Sequence, residues 1–228
     1  MNSAMTRTPA SGRSRANDPA GVRKRVLDAT AGAFQARGYH STSTQDIVRE
    51  SGVTGGALHH HFPTKKALGL AVIHERVAQA VEKNWLEPVR SARTAAEGIE
   101  TAFEQIASAF DSYNIIQGCP LNNLALELSL ADSEFREAIR TIYQGWRDVV
   151  AQKLRADIAN GVFDDPDPEA FATFVVACYS GAVAQAKAEQ NAEPLRTCAR
   201  QLALHIRLRS SSDSKRAQPS KAQMLRKG

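Results

Sequence analysis

The sequence predicts an all-α protein, and three observations carry that reading. Ala and Leu, the strongest helix formers, are abundant, while clusters of β-branched residues are few. Apolar residues recur at helical spacing, and no run sustains the alternation of a strand. The periodic runs are bounded by Gly, Pro or side chains suited to capping. With 43% apolar residues in 228, a core is affordable and global disorder is excluded.

Residues 1–20 hold Pro, Ser, Gly and Arg without periodicity, and a disordered basic arm is expected there. Its Arg7, Arg13 and Arg15 could lie in a minor groove or simply be solvated. A helix follows over 22–37, with Val26, Leu27, Thr30, Ala33 and Phe34 on one face and Gly38 as its stop. Ser43 with Asp46 resembles a capping box, opening a short helix that Gly52 closes. Thr54 caps a second short helix, 55–61, which ends at Phe62-Pro63. Thr64 caps the next, running from Lys65 to about Glu87, where Pro88 is expected to end it. Further helices are expected over 94–113, 121–130, 133–160, 168–189 and 194–209, with stops at Gly118 and Pro120, Asp132, Gly161 and Pro166, and Pro194. Residues 210–228, rich in Ser, Lys and Arg, read as a disordered basic tail.

Residues 170–186 contain no charge, but the run is short of a bilayer span and includes Thr173, Ser180, Gly181 and Gln185. It reads as a buried helix of a protein with no membrane partner. The N-terminus lacks the apolar core of a signal peptide. Three scattered cysteines, Cys119, Cys178 and Cys198, do not make a disulfide framework. A cytoplasmic location is expected.

Charge is unevenly spread. Residues 1–83 carry 12 Lys/Arg against 6 Asp/Glu, residues 84–210 carry 12 against 17, and residues 211–228 carry 5 against 1. A basic first third joined to an acidic remainder suits a head that meets a polyanion such as DNA. The segment 43–62 gives that idea a shape. Two short helices separated by Gly52-Val53-Thr54 form the pattern of a helix-turn-helix, in which Ile47, Val48, Val53 and Leu58 can pack the pair. The second helix then presents its outer face to a major groove. Its first residues, Gly55, Gly56 and Ala57, are small enough for a close backbone approach.

The order Arg25-Val26-Leu27-Asp28-Ala29-Thr30, Phe34, Gly38-Tyr39, Ser41-Thr42-Ser43-Thr44, Asp46-Ile47-Val48, Ser51-Gly52-Val53-Thr54, Gly56-Ala57-Leu58, His60-His61-Phe62-Pro63, Lys65 and Leu68 resembles the signature of TetR-type (TetR/AcrR) regulators. The likeness covers about sixty residues, 22–81. It implies a three-helix DNA-binding head, 21–81, and a larger helical body, 82–209, for ligand binding and dimerisation. It further implies that Thr44 and Gln45 begin the second helix where phosphate is met. Thr54, Gly55 and Gly56 would begin the recognition helix, His59 and His60 lie on its exposed end, and Lys65 hold a phosphate. Lys66 could hold another. Two positions depart from the family: Gly55 replaces a polar or basic residue, and His59 a Tyr that touches the DNA backbone.

The run His59-His60-His61 cannot chelate one ion from a helix, because consecutive side chains diverge by about 100°. No metal, cofactor or catalytic constellation is expected, which leaves a helical-bundle enzyme as a remote alternative. In the body, Phe103, Ile106 and Phe110 share one helix face, and Tyr143, Trp146 and Val150 another, with Phe174 and Tyr179 on the uncharged helix. Most must be core. A subset could line a small-molecule pocket with Cys119, whose ligand the polar atoms of Asn122, Asn123, Tyr143 and Trp146 could orient. The stretch from Gly118 to Glu127 resembles a motif in the body of some TetR-type regulators, including electrophile-responsive ones. Cys119 is therefore either a packed thiol or a redox sensor. The sequence reading is a ligand-responsive regulator, most simply a repressor. It would bind a near-palindromic double-stranded operator as a homodimer through helices 168–189 and 194–209, and a small-molecule inducer would release it.

Overall fold

The computed structural model describes residues 18–164 and 167–209. Among the described residues the chain forms nine helices and no strand. The head is α1 (Pro19–Arg37), α2 (Thr44–Ser51) and α3 (Gly55–His61). A long helix α4 follows, with α-helical turns at Lys65–Val72, Ala78–Val81 and Glu87–Ser91 separated by π-helical turns at Ile73–Val77 and Glu82–Leu86. The body adds α5 (Ala95–Asp111), α6 (Pro120–Leu128), α7 (Ser133–Ala159), α8 (Pro168–Glu189) and α9 (Glu193–Leu208).

Helix α1 begins three residues before the expected start. Asp18 caps it by accepting the Gly21 N–H, and Pro19 occupies the first turn, where its missing donor costs nothing. Of the expected arm, Arg7, Arg13 and Arg15 lie outside the described residues, as do the tail 210–228 and Pro166. Val26, Leu27, Thr30, Ala33 and Phe34 are buried, as their spacing requires.

Helix α4 does not stop at Pro88. The preceding π turn pairs the Glu87 N–H with the Glu82 carbonyl, five residues back, so the change of register falls at the residue that has no N–H to donate. The helix therefore runs on to Ser91, and the boundary drawn at 81/82 lies inside it. Its first π turn serves the head: Glu75 accepts two bonds from Arg23, and Arg76 pairs with Asp28, both partners on α1. Its second serves the body, carrying Trp85 into the core. Helix α6 ends two residues before expectation, because the Ala131 and Asp132 N–H groups fold back onto the Leu128 carbonyl and leave Asp132 free to cap α7. Leu130 is consequently exposed.

In the body α8 packs between α7 and α9, and α9 packs on α5. Buried Asp157 of α7 accepts the Ala95 N–H at the start of α5, satisfying a donor that the helix itself cannot. No helix among the described residues is long and apolar enough to cross a membrane.

Candidate nucleic-acid interface and candidate ligand cleft

The helix-turn-helix is built from local chemistry. Ser43 and Asp46 close a reciprocal capping box, which holds the Asp46 carboxyl well below the usual range, chiefly through the Ser43 hydroxyl. Gly52 adopts the left-handed conformation that ends α2. The Thr54 hydroxyl accepts the Ala57 N–H at the start of α3, and the Thr64 hydroxyl accepts the Ala67 N–H at the start of α4. Ile47 and Leu58 are buried between the helices. The outer face of α3 shows Gly55, Gly56, His59 and His60 to solvent, with Thr54 exposed at its cap.

Thr44, Gln45, Gly55, His59 and Lys65 come together on one concavity of about 450 Å³, floored by Val48, Leu58, Phe62 and Leu68. Thr54, Gly56 and His60 lie outside it, along the exposed face of α3. Pro63 and Thr64 complete the rim, and no sequence signal singled them out as lining. The two neighbouring lysines part company. Lys66 points to the body and pairs with Asp132 at 2.7 Å and Glu134 at 2.6 Å, so the ammonium expected to meet a second phosphate is committed to carboxylates here. Lys65 is in no ion pair among the described residues; its ammonium lies 4.4 Å from the centre of the Tyr39 ring. Arg23, Lys24, Arg37, Arg49 and Arg76 are likewise matched by carboxylates, so the raw charge of the head overstates the cations open to a partner.

A second concavity of about 400 Å³ opens between α6, α7 and α8. Cys119, Asn122, Asn123 and Tyr143 line it together, joined by Ser180, Ala184 and Lys187. Its polar groups form a chain and a separate pair: the Tyr143 hydroxyl donates to Asn122 Oδ1 at 2.5 Å and Asn122 Nδ2 to the Ser180 carbonyl, while Lys187 Nζ donates to Asn123 Oδ1. Lys187 escaped the sequence reading because its signal, helical spacing from Ser180 and Ala184, acquires meaning once the cleft on that face is known.

Cys119 is buried at the start of α6. Burial pushes its thiol up, against an opposing pull from the Asn122 and Leu121 N–H groups and the Tyr179 hydroxyl. Burial also pushes Cys178 and Cys198 up.

The other expected pocket residues are elsewhere. Phe103, Trp146 and Tyr179 join Trp85 in a packed aromatic cluster, with ring centres 4.8 to 5.7 Å apart. Ile106 is buried on the same helix as Phe103. The indole N–H groups of Trp85 and Trp146 are buried there, and that of Trp146 has no acceptor among the described residues. Tyr143 links cluster and cleft, its ring stacked on Trp146. Phe110 borders a different groove, beside Tyr113 and Gln117. Phe174 lies on the outer side of α8, 47% exposed, against Phe171 and His205. No group of three His, Cys, Asp or Glu among the described residues could hold a metal ion.

Comparison with known proteins bears on both regions. Residues 26–72 match the family described as bacterial regulatory proteins, tetR family, and residues 95–201 match the C-terminal domain of LmrA/YxaF-like transcriptional regulators. The chain is 30% identical to the HTH-type transcriptional regulator LmrA of Bacillus subtilis over 76% of its own length and 90% of that protein's. It is 26% identical to the HTH-type transcriptional repressor DhaR of a Mycobacterium species, over 76% of this chain and 86% of DhaR. A crystal structure of a TetR transcriptional regulator from Chloroflexus aurantiacus superposes with a TM-score of 0.74 at 26% identity, covering 82% of this chain and 95% of the other.

Proposed function

Since this chain belongs to the TetR family of bacterial transcriptional regulators, we propose that it is a ligand-responsive repressor that binds a near-palindromic operator as a homodimer. It is a regulator and not an enzyme. The observation that carries the DNA reading is the convergence of Thr44, Gln45, Gly55, His59 and Lys65, whose ammonium meets a ring and a carbonyl rather than a carboxylate, on one concavity beside the outer face of α3. A phosphate seated there would fix the head, and Thr54, Gly56 and His60 would meet base edges. The cytoplasm, where operator DNA lies, is the place of action.

The ligand reading rests on the cleft that Cys119, Asn122, Asn123 and Tyr143 share, a concave site with an apolar wall and a few convergent polar groups. Burial of Cys119 favours the thiol over the thiolate and so supports reversible binding rather than covalent sensing. The dimer reading rests on the outward face of α8 and α9, where Phe174, Leu204 and Leu208 are exposed beside Ala177 and Gly181. A two-fold axis there would space two α3 helices for two half-sites. A small molecule favouring a different spacing would lower DNA affinity, and DNA would weaken that molecule's binding by the same factor.

The test is a salt titration of binding to the DNA upstream of the chain's own gene, against random duplex. Binding that outlasts the control at higher salt is the expected result. Equal and equally salt-sensitive binding to both would overturn sequence-specific regulation at that site.

A further inference from the structure

Helix α6 lines the cleft on one face and meets the head at its far end. Cys119, Asn122, Asn123 and Leu126 face the cleft, while Pro120 and Leu124 pack towards α1 and α4. At its far end Glu127 reaches the head. Both its carboxylate oxygens are used there: Oε2 accepts the Tyr39 N–H at 2.8 Å and Oε1 accepts the His40 N–H at 2.6 Å. Gly38 makes room for it. Its φ is +85°, and a Cβ at that position would stand 2.8 Å from Glu127 Oε2. A carboxylate on two amides forms a charge-assisted pair, stronger than neutral hydrogen bonds.

The dipeptide that Glu127 holds is also what Lys65 rests on. The Lys65 ammonium approaches the His40 carbonyl at 3.5 Å and lies over the Tyr39 ring. That ring is itself wedged between Phe34 and Phe135, with Gly69 leaving the space. Partial burial lowers the Lys65 ammonium below the ordinary lysine range, and the Glu127 charge opposes that.

We propose that Glu127 is a positioning residue for DNA binding: from the body it fixes the backbone of Tyr39 and His40, and through them it aims the Lys65 ammonium at a DNA phosphate. This rests on the reading of Lys65 as a phosphate contact. It makes α6 the helix through which the cleft bears on the head, because a shift that withdraws Glu127 also releases the surface on which Lys65 is poised.

The test needs neither the operator nor the inducer. Binding of full-length protein to a random duplex is measured against salt, where each phosphate contact contributes a slope of about −0.9. Lys65→Ala is expected to flatten the slope by about one contact per head. Glu127→Gln, which leaves one acceptor oxygen and turns an NH₂ towards an N–H, is expected to flatten it equally. The double variant should go no further, since both changes remove the same contact. A merely destabilised protein would lose active fraction and keep its slope, so melting temperatures are recorded alongside. Glu127→Asp, which keeps the charge but cannot span both amides, should fall between and serves where Glu127→Gln fails to fold. A wild-type slope in the Glu127 variants, or a second full step in the double variant, overturns the inference. A wild-type slope that Lys65→Ala leaves unchanged overturns the phosphate reading beneath it, and no selective binding to any upstream DNA overturns the regulator reading alone.

Discussion

Helices α3 and α8 both turn small residues to solvent, and they differ in what surrounds those residues. On α3, Gly55 and Gly56 stand beside His59, His60 and the Lys65 concavity. On α8, Ala170, Ala177 and Gly181 share a face with Phe174, near the exposed Leu204 and Leu208 of α9. Small residues in both places permit close approach; the rim decides of what. A polyanion needs donors and cations at the edge. A second copy across a two-fold axis needs self-complementary apolar area, which Phe174, Leu204 and Leu208 supply beside the charged groove of Arg200 and Arg207. On the reading proposed above the same feature of sequence serves two partners, and the exposed apolar side chains of α8 and α9 mark the second.

The largest expected effect breaks the α8 side of this contrast. A Cβ at Gly181 meets nothing within 4 Å in the folded chain, so Gly181→Arg leaves the protomer intact. Across a two-fold axis it sets two like charges together in an apolar contact. Sedimentation is expected to show a monomer, and operator affinity to fall by more than about 100-fold as the second head loses its effective concentration. A dimer of unchanged strength would move the interface elsewhere.

A subtler change sharpens the α3 side. Gly55 and Gly56 have helical backbone with open space where a Cβ would go, so nothing within the chain requires glycine at either position. Gly56→Ala is expected to raise stability by up to about 1 kcal/mol, since glycine is the poorer helix residue. It is also expected to weaken operator binding about tenfold, roughly the 1–3 kcal/mol attached to one base-pair contact. A melting curve and a binding titration on the same preparation check both signs. Tighter binding together with higher stability would remove the close-approach argument.

Smaller still is the expected effect of Lys66→Ala. Its ammonium is committed to Asp132 and Glu134, in the exposed setting where an ion pair contributes about 0–1 kcal/mol. Operator affinity should change by less than about twofold and the salt slope not at all, in contrast to Lys65→Ala. Flattening of the slope by Lys66→Ala would mean that the lysine leaves the body to meet DNA.

What could be read in advance divides along the same physical line. Helix ends were legible because their causes are local: Ser43 with Asp46, Thr54 and Thr64 cap within three residues of themselves. The outer face of α3 followed from those ends. The π turns of α4 were not legible, since Ile73–Val77 and Glu82–Leu86 hold ordinary helical residues, and the extra residue in each turn answers to packing on α1 and in the aromatic cluster. Periodicity correctly marked Phe103, Ile106, Trp146 and Tyr179 as inward, but burial does not say whether a side chain borders a cavity or another side chain. The different fates of Lys65 and Lys66, adjacent in sequence, depend on Glu127, Asp132 and Glu134 more than sixty residues away, which no local pattern encodes.

The inner edge of α8 supplies the last contrast, between its apolar outer face and the polar chain it borders through Ser180. Burial pushes the Tyr143 hydroxyl up to about 12 from an ordinary value of 10, and that hydroxyl donates to Asn122. Between about pH 10 and 12 the folded protein keeps this proton while the unfolded chain releases it. The unfolded state then binds fewer protons, so stability contributed by Tyr143 is full below pH 10 and declines as pH rises through the window. Tyr143→Phe is expected to cost about 1 kcal/mol at pH 8 through the lost hydrogen bond. It should also remove that share of the alkaline decline, so the two stability curves converge between pH 10 and 12. Tyr179 is raised chiefly by burial and in lesser part by the Tyr143 charge, so the double variant Tyr143→Phe/Tyr179→Phe against Tyr179→Phe isolates the Tyr143 share. Urea unfolding at pH 8, 10 and 11 measures the gap. Curves that stay parallel would place the Tyr143 hydroxyl in open solvent and take the hydrogen-bonded wall away from the cleft.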